Sequence, residues 1–306
     1  MYDIIIVGGG PAGLTAGLYA CRGMMKTLLI EKVSPGGLIA LTERVENYPG
    51  FPDGVGGYEL TERILKQAKK FGLEIVNGEV NQITSGQNAF TIRTVSKEYQ
   101  ALAVIIATGT KARKLGIPDE DKFIGRGISH CATCDAPFFK NKEVIVVGGG
   151  DTAVEEGMFL TKFARKVSIV HRRDKLRAQA IIQQRAFANP KMQFFWNSVP
   201  QNIIAKDRIE GLKVKNTITG ALTEIKADGI FLFIGYNPNT SFLNGFIHLD
   251  DAGCIIVDSE MKTSRSGVYA CGDVIKKSLR QLVNACGEGA TAAFNAQKHI
   301  EDLRGK

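Results

Sequence analysis

Tyr2-Asp3-Ile4-Ile5-Ile6-Val7-Gly8-Gly9-Gly10-Pro11-Ala12-Gly13 is the stretch that decides the fold of this chain. Tyr2 to Val7 reads as a strand buried on both faces, the pattern of a parallel sheet. It runs into Gly8, Gly10 and Gly13, spaced G-x-G-x-x-G, and then into a helix expected from Leu14 to Cys21. Glycines are needed there for a tight turn, for close approach of a pyrophosphate and for helix–strand packing. The helix N-terminus then offers unpaired N–H groups to phosphate. A second strand, expected at Thr27 to Ile30, ends on Glu31, 23 residues after Gly8. An acid at that place binds ribose hydroxyls.

The plan repeats. Lys142 to Val147 leads into Gly148-Gly149-Gly150-Asp151-Thr152-Ala153 and a helix expected from Val154 to Phe163. Alanine is allowed in the third place of the fingerprint. The next strand, Val167 to Val170, ends on His171, again 23 residues after the first glycine, followed by Arg172, Arg173 and Arg177. Cations where the first copy has an acid suit a 2′-phosphate, and so point to NADPH rather than NADH.

Between the two fingerprints lies His130-Cys131-Ala132-Thr133-Cys134-Asp135. Two cysteines so spaced can close a reducible disulfide, and Asp135 can hold or give a proton during exchange. The other reading is half of a zinc site with His130 as a third ligand; such sites usually show four ligands. The remaining cysteines, Cys21, Cys254, Cys271 and Cys286, are isolated, and no metal site is expected.

The 306 residues suffice for two domains, and 44% hydrophobic with 23% charged residues describes a soluble globular chain. No run approaches the ~20 apolar residues that span a bilayer, so no membrane role is expected. The N-terminus reads as entering a strand without a secretory leader, and six cysteines suit a reducing, cytoplasmic setting. The net charge of +8 is spread along the chain without interleaved aromatics, which argues against nucleic acid and leaves room for an acidic protein partner.

The rest fits a two-copy plan. Gly36-Gly37 and Val45-Glu46-Asn47-Tyr48-Pro49-Gly50 form a long irregular stretch of the kind that serves function. A helix is expected from Tyr58 to Phe71, short strands over 74–100 and 192–226, and buried strands at Ala101–Ala107 and Ile230–Ile234. The first of these leaves through Thr108-Gly109-Thr110, a small-residue exit where a ligand can lie on backbone; the second leaves through Gly235-Tyr236-Asn237-Pro238. A strand at Val268–Ala270, then Gly272-Asp273, and a helix from Gln281 to Leu303 complete the first domain rather than start a third. The expected fold is α/β: two Rossmann-like nucleotide-binding domains, the second inserted into the first. The first spans 1–113 and 240–306, the second 114–239.

Taken together, these residues resemble the low-molecular-weight, prokaryotic-type thioredoxin reductases nearly end to end. The resemblance rests on Cys-Ala-Thr-Cys-Asp at 131–135, His-Arg-Arg-Asp at 171–174, Gly-Asp at 272–273 and Arg-Gln at 280–281. It implies FAD on the first fingerprint, with Gly37, Asn47, Thr108 and Gly109 nearby, and NADPH on the inserted domain. It places Asp273 near the flavin ribityl chain and Arg280 and Gln281 close to the FAD. It makes Cys134 the flavin-facing sulfur that attacks thioredoxin, Cys131 its disulfide partner and Asp135 the acid/base. Phe138 and Phe139 become candidates for a thioredoxin-docking surface or for ordinary core. A homodimer is also implied. The chain departs from the family pattern at Leu38, where Gly-Gly-Gln is common, and at Leu279, where an aromatic residue often precedes Arg-Gln. The departures imply altered polar contacts to FAD, not loss of its binding. The resemblance leaves two other readings: a same-fold reductase fed by NADH or another donor, and a redox- or zinc-responsive binding protein. In the leading reading, disulfide and nicotinamide must each meet one flavin, so hinges are expected at Lys111–Ile117 and Tyr236–Thr240.

Overall fold

In a computed structural model of the chain, the described residues are 1–42, 45, 47–87, 89–243 and 245–305. Glu46, within the irregular stretch noted above, lies outside them. The chain forms two compact units, Met1–Lys111 with Asn237–Lys306, and Ala112–Tyr236.

The first unit begins with β1 (Tyr2–Val7), α1 (Pro11–Arg22), β2 (Thr27–Glu31), α2 (Gly57–Lys70), β3 (Glu74–Asn77), β4 (Val80–Ser85), β5 (Phe90–Thr94) and β6 (Glu98–Ile106). β1 is parallel to β2 on one side and to β6 on the other, with Ile4 opposite both Thr27 and Ala103. Ile4, Ile5 and Ile6 are fully buried, as a strand covered on both faces requires. The short strands do not all alternate in one meander. β3 extends the parallel sheet beside β2, whereas β5 pairs antiparallel with β4 on one side and with the first half of β6 on the other. Helix α1 starts at Pro11, not Leu14, because proline is pre-set for the first helical position and its missing N–H costs nothing there. The turn of α1 nearest the glycines is therefore built from the fingerprint itself. In α2, Leu60, Ile64, Leu65 and Ala68 form the buried face.

The chain crosses to the second unit within β7 (Thr110–Ala112). There follow α3 (Glu120–Phe123), β8 (Ile128–Ser129), α4 (Ala132–Asp135), β9 (Glu143–Gly148), α5 (Asp151–Leu160), β10 (Lys166–Val170), α6 (Ala180–Phe187), β11 (Met192–Phe195), β12 (Ser198–Ala205), β13 (Ile209–Asn216), β14 (Leu222–Lys226) and β15 (Gly229–Phe233). Its parallel sheet runs β11-β10-β9-β15-β8, while β12, β13 and β14 form a separate antiparallel sheet. Helix α5 begins at Asp151, again inside the fingerprint. The return crossing lies in β16 (Tyr236–Pro238), after which β17 (Val268–Ala270) joins the first sheet parallel to β6, and α7 (Leu282–Leu303) packs on α1.

Both sheets reverse strand order at their central strand. The crevice at the carboxyl ends beside such a reversal is where open α/β sheets bind ligands. In the first unit that edge receives Gly8, Glu31, Ala107 and Cys271, the residues at or just past the ends of β1, β2, β6 and β17. In the second it receives Gly148, His171, Ile234 and His130.

Candidate functional site

In the first unit Gly8 takes φ +106°, and a Cβ on it would stand 2.4 Å from the Ala107 carbonyl oxygen, so only glycine fits. A Cβ on Gly13 would meet the Gly8 carbonyl at 1.9 Å, the close helix–strand contact that the third fingerprint glycine serves. Gly37 lies against Gly10, and the Gly36 N–H donates to the Gly9 carbonyl at 2.8 Å. Glu31 reaches back over this loop and accepts from the Gly9 N–H at 2.6 Å and the Val33 N–H at 3.0 Å. Thr108 and Gly109 are tied to Asn239, whose Nδ2 donates to the Thr108 carbonyl at 2.8 Å and whose N–H donates to the Gly109 carbonyl at 3.0 Å. Asn47 Nδ2 donates to Gln281 Oε1 at 3.0 Å, joining two predicted site residues far apart in sequence. Leu38 and Leu279 are exposed.

Gly272 follows β17 and packs on Ala12, its N–H donating to Glu288 Oε2 at 2.9 Å. Lys277 Nζ lies 2.8 Å from Glu288 and 3.2 Å from Asp273 Oδ1; the second is an ion contact rather than an aligned hydrogen bond. The Lys277 and Glu288 side chains are 8% and 11% exposed, so this is a buried ion pair beneath Gly272-Asp273. Sequence reading missed Asn239, Lys277 and Glu288. The only signal was proximity in sequence to motifs already singled out. Arg280 Nη2 lies 3.8 Å from Cys254 Sγ.

The second unit repeats this construction. A Cβ on Gly148 would stand 2.6 Å from the Phe233 carbonyl oxygen and 2.6 Å from the Ala153 methyl, as at Gly8. His171 covers Gly149 as Glu31 covers Gly9. The ring is buried, and its Nε2 has no hydrogen-bond partner among the described residues. Burial pushes the imidazole below its ordinary pKa; a hydrogen bond from the ring to the Lys175 backbone opposes this, and Arg177, Arg173 and Arg172 add to it. Arg172, Arg173 and Arg177 are exposed, and Arg177 Nη2 is 3.8 Å from where a Cβ of Gly150 would stand. The Arg177 N–H donates to the Gly149 carbonyl at 2.7 Å, and Asp151 Oδ1 accepts from the Gln179 N–H at 2.7 Å, so the arginine loop is fastened to the glycine loop.

Neither α1 nor α5 has a side-chain cap on its N-terminus, where Gly10 and Gly150 stand at the N-cap. Two uncapped helix starts at sheet carboxyl ends, one under a guanidinium, fit two dinucleotides.

Cys131 and Cys134 are joined as a disulfide, Cα atoms 5.4 Å apart, on the short α4 that follows β8. Ala132, Ala136 and Phe139 bury themselves in the core beneath it, at helical spacing. Phe139 stacks edge-on against Phe231, whereas Phe138 is 41% exposed, so only Phe138 is available to a partner. Cys131 Sγ accepts the Cys134 N–H at 3.2 Å and touches Thr133 Oγ1 at 3.3 Å. The Asp135 N–H donates to the Cys131 carbonyl at 3.2 Å. His130 turns its Nδ1 toward the Leu232 carbonyl at 3.4 Å. Among the described residues no group of three or more His, Cys, Asp or Glu is placed to hold a metal ion.

This chain belongs to the pyridine nucleotide-disulphide oxidoreductase family, whose model matches residues 2–289. It is a flavoprotein disulfide oxidoreductase with FAD and NADPH as its cofactors. More particularly, it is similar to the thioredoxin reductase of Listeria monocytogenes, 49% identical over 306 residues, covering 99% of this chain and 95% of that one. Its identity to the thioredoxin reductase of Peptoclostridium acidaminophilum is 50%, over 98% of each chain. The crystal structure of thioredoxin reductase from Streptococcus pyogenes superposes with a TM-score of 0.92 at 44% identity, covering 99% of both chains.

Proposed function

We propose that the chain reduces thioredoxin, carrying electrons from NADPH through FAD and the Cys131–Cys134 disulfide. The observation that carries this is the shared edge of the second sheet. The disulfide follows the carboxyl end of β8, in the same parallel sheet whose β9 and β10 lead to the Gly148–Gly150 loop and His171.

Gly8, Gly10, Pro11, Ala12, Gly13, Glu31, Gly37, Asn47, Thr108, Gly109, Gly272, Asp273, Arg280 and Gln281 would hold FAD on the first unit. Gly148, Gly150, Asp151, Thr152, Ala153, His171, Arg172, Arg173 and Arg177 would hold NADPH on the second, the arginines taking its 2′-phosphate. Bound FAD supplies a two-electron acceptor for hydride and a donor to the disulfide. Reducing that disulfide breaks one S–S bond and, with two electrons and two protons, leaves two thiols. The Cys134 N–H and the Thr133 hydroxyl favour negative charge on Cys131 Sγ, which makes it the better leaving thiolate. Cys134 then attacks the substrate disulfide. Cys131 resolves the mixed disulfide, re-forming the S–S bond and releasing a dithiol, and Asp135 moves the proton. Exposed Phe138 suits an apolar docking face beside the exchange site.

The protein works in the cytoplasm as a homodimer in this reading. Four unpaired buried thiols suit a reducing compartment. No helix among the described residues is long and apolar enough to cross a membrane. Tyr19 of α1, Met24 just beyond it and Phe294 of α7 are large exposed apolar groups on adjoining helices of the kind a second copy covers. The test of the function is Cys134→Ser. The variant keeps NADPH-dependent flavin bleaching and loses thioredoxin reduction; normal turnover would refute the assignment.

A further inference from the structure

The redox turn is fastened by an acid outside its motif. At the start of α4 the backbone N–H groups of Cys131, Ala132, Cys134 and Asp135 each have an acceptor. The Cys131 N–H donates to Ser129 Oγ at 3.0 Å, the Cys134 N–H to Cys131 Sγ and the Asp135 N–H to the Cys131 carbonyl. Between them, the Ala132 N–H donates to Glu156 Oε2 at 3.1 Å. Ala132 is fully buried, and leaving such a donor unmet costs roughly 1–3 kcal/mol. Glu156 is partly buried and stands on α5, the helix whose N-terminus is the second glycine loop.

We propose that Glu156 is a positioning residue for the disulfide: it takes the Ala132 N–H and thereby holds the turn closed. The inference rests on the redox reading of that pair and adds a residue to it. Glu156 touches neither sulfur. A turn held in this way keeps each thiol close to the other, which favours the disulfide over the dithiol. A carboxylate beside the pair also disfavours the thiolates of the reduced form. Both effects make the couple more reducing, and a reductase of other disulfides needs that.

The test equilibrates the FAD-loaded protein anaerobically with mixtures of reduced and oxidised dithiothreitol. In that exchange the protein S–S bond breaks, two protein thiols form, and dithiothreitol closes its own S–S bond. Alkylation and peptide mass spectrometry then count Cys131 and Cys134 in each state. Glu156→Ala is expected to move the equilibrium about tenfold toward the dithiol, equivalent to about 30 mV. Glu156→Gln keeps an oxygen acceptor and is expected to move it only about threefold, a shift of about 15 mV. Bleaching of the flavin by NADPH should be unchanged in both. An unshifted equilibrium in Glu156→Ala overturns the proposal, and so does a Gln variant that shifts as far as Ala, since charge alone would then account for the effect. Should Glu156→Ala fail to fold, Glu156→Met, of similar size and without an oxygen acceptor, takes its place with the same tenfold expectation and the same contrary result. A wild-type protein that fails to reduce thioredoxin would refute the functional reading while leaving the couple measurable, so the two failures are told apart.

Discussion

The ring of His171 lies so close over Gly149 that a Cβ on that glycine would stand 2.2 Å from Nδ1. The contact fixes the imidazole at the mouth of the second glycine loop, with its buried Nε2 unbonded among the described residues. Gly149→Ala should therefore push the ring aside and weaken NADPH by about tenfold, roughly 1.4 kcal/mol. Titration of NADPH by calorimetry checks this, with FAD content as the control expected not to change. Unaltered affinity would mean that the ring plays no part in the nucleotide site.

Arg172, Arg173 and Arg177 follow that histidine on an exposed loop fastened to Gly149. Replacing all three with alanine should weaken NADPH far more than NADH, which has no 2′-phosphate. A charge-assisted bond is worth roughly 1.5–3 kcal/mol, with exposed groups at the low end, so about tenfold per arginine is expected. Comparing the two nucleotides by flavin reduction decides it; equal losses would make these arginines structural.

How much of this was legible beforehand follows from what each feature depends on. The glycine spacings and the residues ending the second strand of each copy could be read because turn geometry constrains single positions. Gly8 and Gly148 meet the same backbone wall in both units. β8 was not legible, since two residues, Ile128 and Ser129, carry no periodicity. Without it, the placement of the disulfide on the same sheet edge as the second glycine loop could not be seen. Phe138 and Phe139 read alike in sequence, and only packing against Phe231 separates them. Glu156 was invisible because its partner is fixed by tertiary contact, and Lys277 offered only its closeness in sequence to Asp273, its contact with Glu288 being set by the fold.

Lys277 supplies a test of the support beneath Gly272-Asp273. Lys277→Met leaves the Glu288 carboxylate buried without its cation, and losing one member of a buried pair costs about 3–5 kcal/mol. Denaturant unfolding should show a loss of this order together with reduced FAD content. A loss under about 1 kcal/mol would show that Glu288 is satisfied by Gly272 and Asn284 alone.

Glu156 makes a pH-dependent contribution whose sign is fixed by its surroundings. Burial raises its pKa above 4.5, the Ala132 and Thr133 N–H groups oppose this, and Glu155 adds to it. The folded protein thus holds the proton more tightly than the unfolded chain. The associated stability is fully present below about 4.5 and is lost as pH rises through the higher folded value. Glu156→Gln has no such loss, so its melting temperature relative to wild type should climb as pH is raised from 4 through that window. A constant difference across pH would contradict this.

The central claim, electron flow from NADPH through flavin and Cys131–Cys134 to thioredoxin, is tested most directly by one anaerobic absorbance titration. The purified yellow protein should bleach on stoichiometric NADPH, and its flavin band should return when oxidised thioredoxin is added. Bleached flavin that stays reduced in the presence of thioredoxin, or protein that binds no FAD on reconstitution, would contradict the account.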